Sequence, residues 1–434
     1  MTPVEVGVIG IVGLIVLLIL RVPVGASMII VSAVGNVLLT SWEPAMLKVG
    51  SDLVRVAQNQ TLSVVPLFIL MGIFLSKAHL GSALFDLGTW FLGRLRGGMA
   101  IATLAASAMF GAICGSVVAA ASTLATVCIP EMSRHKYDEG FACGVTAVGA
   151  AMGSVIPPSA AMIVYGFLTE ESISQVLMAG FIPGILVTVL LMCTVPIVIK
   201  FKPHVAPPAI KEKTPFPMGA LKIVWGVPVI FLLVFGGIYL GWTTTTEAGA
   251  IGAFSSLVFI LIMRQMTISS FFDSIVTAVK ITGSTFLMLI GGSLFGVFMT
   301  RSMIPVSLTN FVSGLDVSPF MIVMFFLLVY TAMGPIMDEM ATLIIMTPIV
   351  YPIIISLGYN GVWFGIMSIM MLMTGLLTPP VGLVSLVTAA VAKVPAMRVF
   401  SSQWPFWLTM ILGCVIIALF PQITLFLPNA MLGR

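Results

Sequence analysis

Residues 153–158 read Gly-Ser-Val-Ile-Pro-Pro, and residues 375–380 read Gly-Leu-Leu-Thr-Pro-Pro, the same G-x-x-x-P-P spacing in each half of the chain. Both stretches stand in apolar surroundings, so each interrupts a helix. Proline removes an amide donor and blocks the carbonyl four residues earlier, and in hydrocarbon each unsatisfied backbone group costs several kcal/mol. A chain that breaks itself twice in this way needs a use for the freed oxygens.

The surroundings are a membrane. Of 434 residues 59% are hydrophobic and only 8% charged, with a mean hydropathy of +1.19, whereas a soluble domain carries about 25% charged residues. Apolar segments long enough to cross a bilayer recur at about 4–20, 23–40, 61–77, 175–199, 221–241, 247–263, 274–299, 319–333 and 405–427. The fold class is therefore an all-α polytopic membrane protein. The first twenty residues have no basic n-region and are expected to be kept as a span.

The net charge of +4 comes from scattered basic residues, with no stripe of the kind that binds nucleic acid. They read as topology signals. Residues 200–222 hold five lysines and five prolines, and the positive-inside rule makes them a cytoplasmic linker. Arg94 with Arg96, Arg134 with Lys136, and Lys393 with Arg398 mark further cytoplasmic ends. The domain division expected is 1–97, N-terminal scaffold helices with an interfacial arm; 98–199, a first hairpin and broken helix followed by a scaffold helix; 200–222, the linker; 223–329, second-half scaffold helices and the lead-in to the second interrupted region; and 330–434, a second hairpin and broken helix with a C-terminal helix. The five cysteines stand singly, with no metal-ligand spacing, and read as packing residues.

The two halves match beyond the double prolines. Gly115 opens a run of small and polar residues that ends at Pro130, and the first break begins at Gly153; Gly334 opens a run that reaches Pro348, and the second break begins at Gly375. Matched Gly/Pro-interrupted segments in two halves point to inverted repeats with a binding site where broken helices meet. Carbonyls freed at Pro157 and Pro379, with the hydroxyls of Ser154, Ser159 and Thr378, are hard oxygen ligands suited to Na⁺, and half-helix N-termini suit an anion. One Pro-Pro is as well explained by a packing kink; two in matching context favour ion sites. The spacings Gly111/Gly115, Gly149/Gly153, Gly292/Gly296 and Gly361/Gly365 read as close helix packing. Asp338 and Glu339 form the acidic pair of the second interrupted region, with a functional carboxylate or a water-exposed hairpin tip as the two readings.

The runs from Pro66 to Ser116, then "IPEM" at 129–132, "GSVIPPS" at 153–159, residues 337–366 and "LLTPPVGL" at 376–383 resemble the large membrane subunit of the tripartite ATP-independent periplasmic (TRAP) transporters. The likeness runs through almost the whole chain; His135-Lys136-Tyr137, where the family pattern has a Gly before the Tyr, is a small departure. The resemblance implies about eleven transmembrane helices plus two re-entrant hairpins, a scaffold and a mobile elevator domain, and the ion-transporter superfamily. It implies Na⁺-coupled uptake of a small organic anion across a bacterial inner membrane. The partners it implies are a periplasmic substrate-binding protein and a small four-helix membrane subunit, expected as a separate chain. No cofactor is expected beyond Na⁺ as coupling ion. One Na⁺ site is expected at Gly115, Ser116, Gly153, Ser154 and Pro157, the other at Gly334, Thr342, Gly375, Thr378 and Pro379; Ser122, Thr123, Ser159 and Asp338 are expected to line the substrate cavity. A passive anion channel remains the alternative. An intramembrane enzyme lacks a catalytic constellation at membrane depth, and no G-x-x-x-x-G-K-[ST] occurs to support ATP-driven transport.

Overall fold

The computed structural model describes residues 1–208, 215–314 and 316–431. Residues 209–214 of the expected linker lie outside the described residues. Among the described residues the chain is helical throughout, with no strand. Seven helices among the described residues are long and apolar enough to cross a bilayer, among them Ile173–Phe201, Met218–Tyr239, Thr245–Ile262 and Ile268–Arg301. Large apolar side chains on their outer faces, such as Leu232 and Phe254, are 73% and 70% exposed, which suits contact with lipid. Pro3–Ile19 and Val24–Leu39 follow the two N-terminal expectations closely. Their 17 and 16 residues rise only about 25 Å, a mismatch that local bilayer thinning accommodates.

Two interrupted units sit inside an outer layer of helices. The first hairpin consists of Gly98–Cys114 and Val117–Arg134, and the first broken helix of Glu139–Gly153 and Ala160–Thr169. The second hairpin consists of Pro319–Met333 and Glu339–Ser356, and the second broken helix of Gly361–Gly375 and Leu383–Ala392. Each hairpin packs on the first half of its own broken helix. The second halves change partners: Ala160–Thr169 packs on Glu339–Ser356 and Gly361–Gly375, while Leu383–Ala392 packs on Val117–Arg134 and Glu139–Gly153. The repeats are therefore interleaved.

The expected cytoplasmic markers gather at one end. Arg96 donates to the Pro203 carbonyl, the Asp138 amide to the Val205 carbonyl, and Arg398 to the Asp138 carboxylate at 2.6 Å. Burial pushes the Asp138 carboxyl up, but Arg398 and the Phe141 amide outweigh it and hold it below the usual carboxylate range.

Three sequence expectations change. The stretch 405–427 is one helix beginning nine residues earlier, Ala396–Leu419, and then a separate Gln422–Met431, because Phe420 leaves the helical region and Pro421 cannot restore the ladder. Trp42–Ala57 is a further helix outside the expected apolar segments, since its Glu43, Lys48, Asp52 and Arg55 make it too polar to cross. The two hairpins also align differently. Pro130 follows the Ser116 cap, and Pro352 the Asp338 cap, by the same fourteen positions, so Pro352 and not Pro348 is the counterpart of Pro130.

Candidate functional site

Glycine sets how deeply each hairpin reaches. A Cβ on Gly111 would lie 2.8 Å from the Gly153 Cα, and a Cβ on Gly334 would lie 2.7 Å from the Gly375 Cα. The same contact, hairpin glycine against the last glycine before the break, occurs in both repeats. Gly111, and not Gly115, is thus the partner of Gly334. Gly115 has another duty: it turns the first hairpin at a φ of 67°, in open space, and Ser116 then caps Val117–Arg134 by accepting the Ala119 amide at 3.4 Å. In the second hairpin Asp338 caps Glu339–Ser356 by accepting the Ala341 amide at 3.0 Å.

The breaks themselves differ. In the first, Gly153, Pro157 and Ser159 are buried, and among the described residues no hydrogen bond reaches the carbonyls of Gly153 and Ser154. The Ser154 hydroxyl crosses to the other repeat and donates to Glu339 Oε2 at 3.4 Å. In the second, the Gly375 carbonyl accepts the Thr378 amide, the Leu376 carbonyl accepts the Val384 amide, and the Leu377 carbonyl accepts Gln403 Nε2. Thr378 donates its hydroxyl to the Thr374 carbonyl and accepts Trp407 Nε1, both at 2.8 Å. Pro379 is exposed. Both Pro-Pro bonds are cis. The freed carbonyls anticipated from the sequence are thus found at the first break, while at the second Ala396–Leu419 supplies donors. Gln403 and Trp407 went unseen in the sequence because they stand 26 and 29 positions downstream of their partners, in what reads as an ordinary span.

The hairpin arms differ too. On Val117–Arg134 a stripe of Ala119, Thr123, Thr126 and Pro130 is exposed, with Ser122 half-buried beside it. A cavity of about 320 Å³ at the basic end is lined by Thr126, Pro130, Glu139 and Ala392. On Glu339–Ser356, by contrast, residues 341–345 are buried against Ile268–Arg301 and Ala160–Thr169. Asp338 is exposed, whereas Thr342 is fully buried and its hydroxyl has no partner among the described residues.

A larger cavity of about 1010 Å³ opens at the end opposite the basic markers, between the outer helices and the second hairpin. Arg55, which donates to Ser293 Oγ at 2.7 Å, and Arg301, which donates to Asn36 Oδ1 at 3.0 Å, line its outer wall. Tyr351, donating to Glu171 Oε1 at 2.7 Å, lines the other. Two fixed guanidinium groups suit an entering carboxylate or sulfonate. Arg301, at the end of Ile268–Arg301, thus holds a defined side-chain partner.

The family described as "Tripartite ATP-independent periplasmic transporter, DctM component" matches residues 11–423. The chain is 31% identical over 378 residues to the C4-dicarboxylate TRAP transporter large permease protein DctM of Pseudomonas aeruginosa, covering 87% of this chain and 88% of that one. It is 28% identical to the sialic acid TRAP transporter large permease protein SiaM of Vibrio cholerae, covering 95% and 96%. Among solved structures, the YdaH transporter of Alcanivorax borkumensis superposes with a TM-score of 0.64 at 12% identity, covering 88% of each chain. The MtrF protein of Neisseria gonorrhoeae superposes with 0.62 at 13% identity, covering 96% of this chain and 94% of that one. These two likenesses are of fold.

Proposed function

The chain belongs to the tripartite ATP-independent periplasmic transporter family as its DctM component, the large membrane subunit, and from that premise we propose that it carries a small organic anion inward across the bacterial inner membrane, driven by Na⁺. A carboxylate or sulfonate is the cargo class. Relatives named for C4-dicarboxylate, sialic acid and isethionate transport span that class. A periplasmic substrate-binding protein delivers the anion to the cavity beside Arg55 and Arg301, and a small membrane subunit completes the complex.

The observation that carries this reading is the duplicated contact of Gly111 with Gly153 and Gly334 with Gly375. Two hairpins enter from opposite ends and meet two broken helices, the arrangement in which coupling ions and substrate share one midplane site. The first ion sits among the free carbonyls of Gly153 and Ser154 and the hairpin turn at Gly115 and Ser116. The second sits between the hairpin turn at Gly334 and the break at Gly375, Thr378 and Pro379. The substrate lies between them, against Ser122, Thr123, Ser159 and Asp338. The interleaved repeats move as one elevator body against the outer helices; the exposed stripe on the first hairpin and the buried second hairpin support a cytoplasm-facing position for that body.

Uptake of labelled organic acids into proteoliposomes holding the chain and its small subunit, with candidate binding proteins, tests the reading. Accumulation is expected only with an inward Na⁺ gradient and a binding protein. A Ser154→Ala, Thr378→Ala double variant is expected to lose about tenfold, equivalent to ~1.4 kcal/mol of ion binding. Accumulation indifferent to Na⁺ would refute it.

A further inference from the structure

Asp338 and Glu339 are neighbours in sequence and part company in space. Asp338 caps the inner arm of the second hairpin and is exposed, while Glu339 turns inward. Its Oε2 accepts the Ser154 hydroxyl of the first break at 3.4 Å, and its Oε1 is buried with no hydrogen-bond partner among the described residues. One helical turn on, and so on the same face, the fully buried Thr342 carries a second hydroxyl without a partner. No Lys, Arg or His is ion-paired with Glu339 among the described residues. A buried carboxylate oxygen and a buried hydroxyl without partners one helical turn apart, with the Ser154 hydroxyl on the same carboxylate and no basic residue ion-paired with it among the described residues, are hard oxygen ligands suited to a hard cation.

We propose that Glu339, Thr342 and Ser154 form a third, side-chain-built Na⁺ site lying between the two repeats. It is additional to the two sites that pair each hairpin with its own break, and it alone carries a formal negative charge on a buried ligand. The inference rests on the Na⁺-coupled reading above. Because Ser154 belongs to the first break and Glu339 to the second hairpin, the site is complete only when the hairpin tip is seated on the break. Its cation would therefore fasten the two repeats together before the body moves.

Two variants separate this inference from its premise. Glu339→Gln removes the charge and keeps the shape; Thr342→Val removes the unpartnered hydroxyl and keeps the volume. The readouts are the Na⁺-induced rise in melting temperature of the purified complex, with choline replacing Na⁺ in the control, and the Na⁺ concentration for half-maximal uptake. In Glu339→Gln the half-maximal concentration is expected to rise about tenfold or more, and in Thr342→Val about threefold, with the Na⁺-induced thermal shift reduced in the same order. Melting without Na⁺ should be unchanged or raised. A wild-type Na⁺ response in both variants would overturn the third site while leaving coupling at the breaks intact. A wild-type complex that does not respond to Na⁺ at all would overturn the coupling reading and this inference with it. If Glu339→Gln does not fold, Thr342→Val decides by the same readouts. A variant whose uptake shifts with pH while its Na⁺ response is unchanged would assign the carboxyl to a proton and reject the site.

Discussion

Gly111 and Gly115 stand four residues apart and do opposite things. Gly111 touches the Gly153 backbone, so any side chain there overpacks; Gly115 faces open space and is constrained only by its left-handed φ. Gly111→Ala is expected to destabilise the protein by about 1–3 kcal/mol, and Gly111→Asn by more. Gly115→Ala should cost about 1–2 kcal/mol from backbone conformation alone, and Gly115→Asn less, because Asn tolerates that region. Melting temperatures of the four purified variants check this; equal losses for Gly111→Asn and Gly115→Asn would contradict it. Sequence reading found both glycines through their spacing but paired Gly115 with Gly334. Which glycine touches a backbone depends on how far the hairpin is inserted, which the spacing does not record.

At the scale of elements, the start of Glu139–Gly153 is tied to the start of Ala396–Leu419 by the Arg398–Asp138 bridge. The Asp138 carboxyl is held below its ordinary range, so folding binds its charged form. The resulting stabilisation is fully present above the unfolded carboxyl value of about 3.9 and is lost as pH falls through the folded value. Arg398 is half exposed, so the contribution is at most about 1 kcal/mol after solvent screening. Asp138→Asn is therefore expected to melt slightly below wild type by a constant margin from pH 7 to 5, the two curves converging toward pH 3. Hairpin arms and broken helices were legible from Gly and Pro punctuation and mean apolarity. The polar Trp42–Ala57 helix and the split of 405–427 were not, since four charged side chains interrupt the apolarity of the first and the break at Phe420 and Pro421 leaves the apolarity of the second unbroken.

For the whole molecule, the elevator reading requires the second hairpin to slide along Ile268–Arg301. A Cβ on Gly296 would lie 3.5 Å from the Pro348 Cβ, within disulfide range. In a background free of native cysteines, a Gly296→Cys, Pro348→Cys pair is expected to cross-link on oxidation and to stop uptake, with thiol reductant restoring it. Cross-linked protein that still transports would exclude the sliding motion. The sequence by itself determined the solvent, the helical class, the duplication and the break positions, because hydropathy, proline and glycine act locally and leave their mark where they stand. It also carried the family resemblance that the comparison bears out. Only the tertiary structure decided which oxygens are free: Gln403 and Trp407 engage the second break, and Ser154 reaches Glu339 across 185 positions. Those pairings follow from how interleaved repeats bring distant helices together, and no local pattern encodes them.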